Sequence, residues 1–264
     1  MEKPIARHEE IIRLLEINNL LTVKELSKLL EVSHMTVRRD LKALEARRVV
    51  SLIHGGAALS PCYSRGDSSG EYELPYAQSS HIREKTRIGL RAAALPRKGD
   101  TVILDSGSTT EAIARALPSG SDITVICFAL NILMQVYRRG GMRIVFPGGR
   151  FHENTLMFEA PESLALIKNY RAAYGFISAS GIDAKLGITC ATAYETAAKQ
   201  ASLASSKHRV LVADASKFGK VGQTWFADFQ DFDMIITDSG VPEEYRRLCE
   251  EKGIELVITD TGAP

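Results

Sequence analysis

Ser33-His34-Met35-Thr36-Val37-Arg38-Arg39-Asp40 is the stretch whose reading decides the N-terminal fold of this 264-residue chain. Ser33 is a good helix N-cap, because its hydroxyl can accept an amide hydrogen from the first helical turn. Val37, Leu41 and Leu44 then recur at i, i+4 and i+7, which predicts a helix with one buried stripe. Upstream, Ile11, Ile12, Leu14 and Leu15 recur at helical spacing and predict a first helix over Arg7 to Ile17, broken by Asn18-Asn19. Thr22 with Glu25 three residues later is a capping-box pattern. It opens a short second helix carrying Val23, Leu26, Leu29 and Leu30 on one face and ending near Glu31. Three short helices with a tight turn between the last two read as a helix-turn-helix. Val49–Ile53 is then a β-prone run, His54-Gly55-Gly56 turns the chain, and Ala57–Leu59 pairs back, so the whole reads as a winged helix.

The outer face of the third helix carries His34, Thr36, Arg38, Arg39 and Lys42. A helix fits the major groove of DNA and presents its N-terminal residues to base edges. Thr36 and His34 are short enough to read bases, and Met35 suits a thymine methyl. Arg38 or Arg39 suits guanine or a phosphate, and Lys42, Arg47 and Arg48 suit phosphates. Ser33 to Arg48 holds five Lys/Arg against Asp40 and Glu45, so this stretch is +3 in a chain of net charge +1. The plainer reading is an amphipathic helix with a solvated charged face; the three-helix context outweighs it. Asp40 is expected to brace a neighbouring arginine. The wing either touches DNA or is a structural hairpin. The candidate DNA-binding set is therefore Thr22, Ser33, His34, Met35, Thr36, Arg38, Arg39, Lys42, Arg47 and Arg48.

Composition sets the frame. With 45% hydrophobic and 25% charged residues the chain is an ordinary globular protein. Cys62, Cys127, Cys190 and Cys249 lie far apart and form no C-x-x-C pair, which argues against a zinc site and for reduced structural thiols. No metal and no cofactor is expected. Met1 to Glu10 is too charged for a signal peptide. No apolar run approaches the roughly 20 residues that span a bilayer. The expected location is the cytoplasm.

Ser60 to Pro75 is rich in serine, glycine and proline and reads as a linker. The expected domains are 1–59, a winged helix-turn-helix; 60–76, the linker; and 77–264, an α/β domain. In the last, apolar runs at Thr101–Asp105, Ile123–Phe128, Arg143–Phe146, Ala173–Ala179, Val210–Asp214, Met234–Thr237 and Leu256–Ile258 read as strands. Helical segments at Glu111–Leu117, Asn131–Arg139, Pro161–Lys168, Tyr194–Ala204 and Glu243–Lys252 fall between several of them. This alternation predicts a mostly parallel sheet. In such sheets ligands bind beyond the carboxyl ends of the strands. Asp105-Ser106-Gly107-Ser108-Thr109-Thr110 sits where a strand hands over to a helix. It offers hydroxyls and amides at a helix N-terminus, a setting that favours anions. It lacks the lysine of a P-loop, and it also reads as a capped turn without ligand. Ser180-Gly181-Ile182-Asp183 offers a carboxylate, and Asp214-Ala215-Ser216-Lys217 a carboxylate and an ammonium; the latter two also read as a plain surface ion pair.

Val32–Leu41 followed by His54-Gly55-Gly56-Ala57 resembles the DeoR family of bacterial sugar-metabolism regulators. Leu104–Thr110, Phe146-Pro147-Gly148-Gly149, Ser178–Asp183, Ala213–Gly219 and Ile235–Asp238 resemble it too, in order, over nearly the whole chain apart from the linker. The resemblance implies a repressor of a carbohydrate or nucleoside catabolic operon that binds double-stranded operator DNA as a homo-oligomer and is released by a phosphorylated sugar. It implies a sensor domain similar to sugar-phosphate isomerases and coenzyme A transferases. It also implies one pocket built from Asp105, Ser106, Gly107, Ser108, Thr109, Thr110, Gly149, Asp183, Asp214 and Lys217. Lys85 matches a family position without an assigned role. Many members carry Thr-Asn-Ser-Leu-Asn where this chain has Cys127-Phe128-Ala129-Leu130-Asn131, so one wall of the pocket is more apolar here. The stretch from Cys127 through Phe158 resembles the branch of the family whose effector is deoxyribose 5-phosphate. The rival readings are a sugar-phosphate isomerase with Asp183 and Lys217 as acid and base, and an activator without an effector. No catalytic residue is assigned on the leading reading.

Overall fold

The computed structural model describes residues 2–18, 20–47, 49–53, 55–59 and 74–259. The chain divides into two compact units, Met1–Ile82 and Arg83–Pro264. Most of the expected linker lies outside the described residues, as do His54, Arg48 and Cys62.

The first unit opens with α1 (Glu2–Asn18), longer than its apolar stripe predicts because Glu2–Ala6 extends it by more than a turn. β1 (Leu20–Thr22) follows, then α2 (Val23–Leu29) and α3 (His34–Ala46). The Thr22–Glu25 capping box is formed in both directions: Thr22 Oγ1 accepts from Glu25 N (3.2 Å) and Glu25 Oε2 accepts from Thr22 N (2.8 Å). Ser33 caps α3 by accepting from Thr36 N (3.2 Å). The wing is β2 (Val50–Ile53) and β3 (Gly56–Leu59), paired antiparallel, and β1 completes a three-stranded sheet in the order β1-β3-β2. β1 is too short to read as a strand from its own residues; it is one because Leu20 and Thr22 pair with Ala58 and Gly56. Gly56 is required there, since a Cβ would lie 2.5 Å from the Leu21 carbonyl oxygen. Ile11, Leu15, Leu26, Val37, Leu41, Leu44, Val49 and Ala57 close one core, with Val23 and Leu30 packed at its margin. Leu29, expected on the same face of α2, is instead exposed, because the helix ends there and turns it outward. α4 (Leu74–Ser79) ends this unit.

The second unit is a three-layer α/β domain. α5 (Ile82–Ala93), starting at the boundary of the two units, precedes β4 (Thr101–Leu104), α6 (Ser108–Ala116), β5 (Thr124–Cys127), α7 (Leu130–Arg139) and β6 (Arg143–Val145). A hairpin of β7 (Arg150–His152) and β8 (Met157–Glu159) leads to α8 (Pro161–Lys168) and β9 (Ala172–Ile177). Then come β10 (Gly181–Asp183), β11 (Gly187–Cys190), α9 (Ala193–Ala204), β12 (Ser206–Val212) and β13 (Thr224–Ala227). The chain continues through β14 (Met234–Asp238), α10 (Glu243–Lys252) and β15 (Glu255–Thr259). All seven predicted strands enter one sheet, order β15-β14-β12-β9-β4-β5-β6, with every neighbouring pair parallel. The two small sheets, β7-β8 and β10-β11-β13, are additions that the apolar runs do not predict.

The strands alternate as a doubly covered sheet must. Val102, Leu104, Val210, Val212 and Ile236 face one core with Ile88, Ile113 and Ile132 from α5, α6 and α7. Ile103 and Ile126 face a second with Ile167 and Ala198 from α8 and α9. Leu211 and Ile235 face a third with Tyr245 and Cys249 from α10. Strand order runs outward from β4 through β5 to β6, then jumps back to β9 on the other side of β4. The switch point of this topology therefore lies between β4 and β9, where the loops after the two strands part and leave a crevice.

Candidate functional site

In the first unit, α3 turns Val37, Asp40, Leu41 and Leu44 inward. His34, Met35, Arg38, Arg39 and Lys42 are exposed, with Met35 71% exposed, and Thr36 is half-buried beside its cap. Six of the ten expected DNA contacts thus share the outward side of one helix and its first turn. Ser33 and Thr22 spend their hydroxyls on the caps of α3 and α2. Arg47 is half-buried and donates to the Gln78 carbonyl (3.1 Å) of α4. Arg48 lies outside the described residues. Asp40 does not brace Arg39. It accepts two hydrogen bonds from Arg7 of α1 and lies 3.2 Å from His8 Nε2, so it ties the back of the reading helix to the first helix.

In the second unit, the crevice at the switch point is densely bonded. Asp105, immediately after β4, is buried, and its Oδ2 accepts from Ser178 N (2.9 Å) and Ser178 Oγ (3.0 Å) immediately after β9. The same oxygen pairs with Lys199 of α9. Lys199 also donates to the Ser178 carbonyl (3.1 Å) and lies 3.7 Å from Glu195 Oε2. Ser106 Oγ donates to Glu195 Oε2 (3.3 Å). Burial opposes the charge on Lys199, but Asp105 and Glu195 together outweigh it, so the ammonium titrates above its ordinary value. Its ammonium lies over the Phe226 ring, 5.2 Å from the centroid. The net effect is a polar bolt that holds the β4 and β9 loops in one arrangement.

α6 begins on this bolt. Gly107 is its N-cap, with φ of 126° and no capping side chain. A Cβ at Gly107 would meet Ser178 Oγ at 3.0 Å. The first intrahelical bond is Glu111 N to Gly107 O (3.2 Å), which leaves the amides of Ser108, Thr109 and Thr110 outside the helical ladder. Thr109 and Thr110 are buried, and Thr110 Oγ1 donates to Gly107 O (3.1 Å). The arrangement is a helix start without a capping side chain, with Glu111 as the acidic residue of its first turn.

The loop after β12 supplies the second group. Asp214 is fully buried, and its Oδ1 accepts from Ser216 N (3.1 Å), capping the short turn Ala215–Lys217. Its Oδ2 lies 3.8 Å from Lys85 Nζ of α5. Asp238, ending β14, holds this turn from behind by accepting from Ala215 N (2.7 Å). Burial lowers the titration of Lys217 against the pull of Asp214. The turn is also joined to β10: Gly219 N donates to Ile182 O (2.9 Å) and to Tyr245 Oη (3.0 Å). Next along β10, Asp183 uses Oδ1 to accept from Lys185 N and Leu186 N (2.9 Å each), bonds that hold its carboxyl below the usual range. Gly149 sits immediately before β7, with φ of 127° and Glu159 O only 2.4 Å from where a Cβ would be. It shapes the β7–β8 hairpin, and Ser163 Oγ secures its neighbour by donating to Gly148 O (2.9 Å).

Of the ten expected effector residues, Asp105 through Thr110 form one continuous edge, and Asp214 and Lys217 lie on a turn joined to β10, which ends at Asp183. Lys199, Glu195 and Ser178 were absent from the expected set. A signal for two of them exists: Glu195, Ala198, Lys199 and Ser202 fall at i, i+3, i+4 and i+7 on the buried side of α9, so the helix carries a glutamate and a lysine where its stripe is otherwise small and apolar. Among the described residues no cluster of three or more His, Cys, Asp or Glu is placed to hold a metal. Cys127, Cys190 and Cys249 are buried free thiols, and burial pushes Cys127 up to about 12, so it is inert as a nucleophile. No helix among the described residues is long and apolar enough to cross a membrane.

Comparison with known proteins places these two units. Residues 7–61 match the DeoR-like helix-turn-helix domain and residues 80–239 the DeoR C terminal sensor domain. The chain is 30% identical over 257 residues to the HTH-type transcriptional regulator GolR of Listeria innocua, covering 97% of this chain and 99% of that protein. It is 30% identical over 248 residues to the deoxyribose operon repressor of Escherichia coli, covering 94% and 96%. It is 28% identical over 258 residues to the glycerol-3-phosphate regulon repressor of the same organism, covering 97% and 99%. Among solved structures, ribose 5-phosphate isomerase A of Methanocaldococcus jannaschii aligns with 53% of this chain and 55% of its own at a TM-score of 0.37 and 16% identity. With one profile spanning well over half of its length and a second covering the reading helix, the chain belongs to the DeoR family of helix-turn-helix transcription regulators.

Proposed function

We propose that this protein is a cytoplasmic repressor of a carbohydrate or nucleoside catabolic operon, released from its operator by a phosphorylated sugar. The observation that carries the DNA half is the exposed side of α3, where Arg38, Arg39 and Lys42 stand beside His34, Met35 and Thr36 on a helix fixed at its start by Ser33. Two such helices on a homo-oligomer suit half-sites one helical turn, or a multiple of it, apart. A mobility-shift titration with DNA from upstream of its own gene tests this. Sequence-dependent binding at moderate salt is expected; equal affinity for unrelated DNA of the same length refutes it.

The effector half rests on the loops after β4 and β12, which put a helix N-terminus and lysines at the carboxyl edge of the sheet. Phosphorylated compounds suit that chemistry, and relatives named for deoxyribose and for glycerol-3-phosphate favour it. Deoxyribose 5-phosphate is the first candidate. A ligand that binds only the folded state raises the melting temperature, so a thermal-shift screen of pentose, hexose and triose phosphates ranks the candidates. No shift with any of them favours a regulator without a sugar-phosphate effector.

A further inference from the structure

Arg83, Arg87 and Arg91 stand at i, i+4 and i+8 along α5 and so share one side of it. Arg83 and Arg91 are exposed, and Arg87 is half-buried. The helix cannot turn to hide them. Ile88, Gly89, Ala92 and Ala93 lie on its buried side. Gly89 brings it directly onto α6, where a Cβ would stand 2.6 Å from the Ala112 carbonyl carbon. Among the described residues no carboxylate lies within ion-pairing distance of the three arginines. Glu84, the one acidic residue of the helix, instead favours the charge on Lys85.

Such a row is unfavourable for a helix that only faces water. A solvated helix face ordinarily sets opposite charges four residues apart, whereas like charges at that spacing repel. Arg83 also lies in the first turn, where the helix dipole is positive and disfavours a cation. An anionic occupant relieves both. Leu90, 59% exposed, is the one exposed large apolar side chain of α5, too little for an apolar partner or for insertion into a membrane surface. A polyanion suits the row better: the three arginines span about 12 Å of helix, and a DNA duplex carries one phosphate charge per about 1.7 Å of its axis.

The covalent chain keeps the row within reach of that duplex. Arg47, at the end of α3, donates to the Gln78 carbonyl of α4 (3.1 Å). Five residues lead from Gln78 to Arg83, a stretch that extends at most roughly 18 Å. We propose that Arg83, Arg87 and Arg91 hold backbone phosphates of the DNA flanking the base pairs that α3 reads. This role rests on the DNA-binding reading above and extends it from the first unit to the second. Phosphate contacts carry no sequence information, so the row adds affinity and salt dependence to operator binding and leaves its selectivity to α3.

The test is an anisotropy titration of the full-length protein at several salt concentrations, with DNA from upstream of its own gene and with unrelated DNA of the same length. Wild type is compared with the triple variant Arg83→Gln, Arg87→Gln, Arg91→Gln and with lysine at the same three positions. A control, Lys168→Gln, Arg247→Gln, Lys252→Gln, removes three exposed cations from α8 and α10 on the other side of the sheet. Each lost phosphate contact lowers the slope of log affinity against log salt by about 0.9. The glutamine triple is therefore expected to lower it by about two to three, equally for both DNAs, while the lysine triple and the control keep the wild-type slope. Should the glutamine triple fail to fold, each single Arg→Gln variant is expected to lower the slope by about 0.9. A wild-type slope in the glutamine variants overturns the proposal. An equal loss in the control assigns the effect to net charge and overturns it too. A lost preference for the upstream DNA marks a displaced α3, and a changed mass in sedimentation marks an interface between copies; either outcome also overturns it. If wild type binds neither DNA, the DNA-binding reading itself falls, and this proposal with it.

Discussion

Asp40, on the inner side of α3, accepts hydrogen bonds from both Nε and Nη2 of Arg7 in α1, the second at 3.0 Å. Asp40 is only 4% exposed, so the pair is held in partial burial rather than in bulk water. His8 closes the third side at 3.2 Å, and burial keeps its titration below the ordinary value in spite of the carboxylate. Reading and bracing thus occupy opposite sides of one helix: adjacent residues Arg39 and Asp40 do different work because a helical step of about 100° separates them.

That division predicts distinct signatures. Asp40→Asn keeps the shape and removes the charge, and it is expected to destabilise the protein by about 2 kcal/mol, a charged hydrogen bond's contribution. Urea unfolding reads this as a lower midpoint. Operator affinity is expected to fall as well, but the slope of log affinity against log salt stays the same, because no phosphate contact is lost. A reduced slope in this variant contradicts the bracing role.

Arg38→Ala, Arg39→Ala and Lys42→Ala alter exposed side chains and are expected to leave the melting temperature within about 1 °C. Each weakens operator binding. A variant that has lost a base contact costs about 1–3 kcal/mol and relaxes preference at one position, whereas loss of a phosphate contact lowers the salt slope by about one. Titrations at several salt concentrations against the operator and its point variants separate the two. Unchanged affinity in all three variants removes α3 as the reading helix.

Much of this architecture was legible in the residues. The caps at Thr22 and Ser33 appear because side-chain hydroxyls bond locally, and local chemistry is what a short pattern records. The seven strands appear because each carries a short apolar run, buried on both faces in the central strands and half-buried in the edge strands β6 and β15. What stayed hidden depends on partners far away in the chain. β1 is a strand only because Gly56–Ala58 lies beside it. The β7–β8 and β10–β11–β13 pairings use short, mixed runs without a clean period. Lys199 meets Asp105 across 94 positions, and a buried lysine among alanines reads locally as a solvated one. The switch point itself follows from strand order, which no single run encodes.

Lys199→Met removes the cation from the bolt between β4 and β9 and leaves Asp105 and Glu195 facing one another in a buried site. Breaking a buried pair by deleting one partner costs about 3–5 kcal/mol. The expected result is a large fall in melting temperature. Lys199→Met combined with Asp105→Asn and Glu195→Gln removes the stranded charges and is expected to recover part of it. A single variant as stable as wild type shows that the bolt contributes nothing net.

Gly149→Ala is expected to be more damaging than Gly107→Ala, although both sit at φ near 126°, where a Cβ is strained. At Gly149 the new methyl would lie 2.4 Å from the Glu159 carbonyl oxygen and 2.9 Å from Ala160 Cβ, atoms that cannot swing aside. At Gly107 it would meet only side-chain atoms, Ser178 Oγ at 3.0 Å and Cβ at 3.4 Å, a looser contact than at Gly149. Gly107→Ala therefore costs about 1–2 kcal/mol of strain and distorts the start of α6. Thermal melts order the two variants, and binding of the sugar phosphate distinguishes them, since only Gly107 lies on the proposed anion site.

Burial pushes Lys85 down to about 8, against Asp214 and Glu84, which favour its charge, and with Lys217, which opposes it. One pH effect follows. For the empty protein, the unfolded chain keeps this proton up to its ordinary value of 10.5, whereas the folded chain releases it near 8. The unfolded state therefore binds more protons between those values, and stability rises with pH across that window by up to about 3 kcal/mol from this group. Below 8 both states hold the proton and the slope from Lys85 vanishes. Subtracting the Lys85→Met profile of stability against pH from the wild-type profile cancels the other titrating groups, Lys217 and Lys199 among them. The difference is expected to climb between pH 8 and pH 10.5, and a flat difference rules out a depressed Lys85.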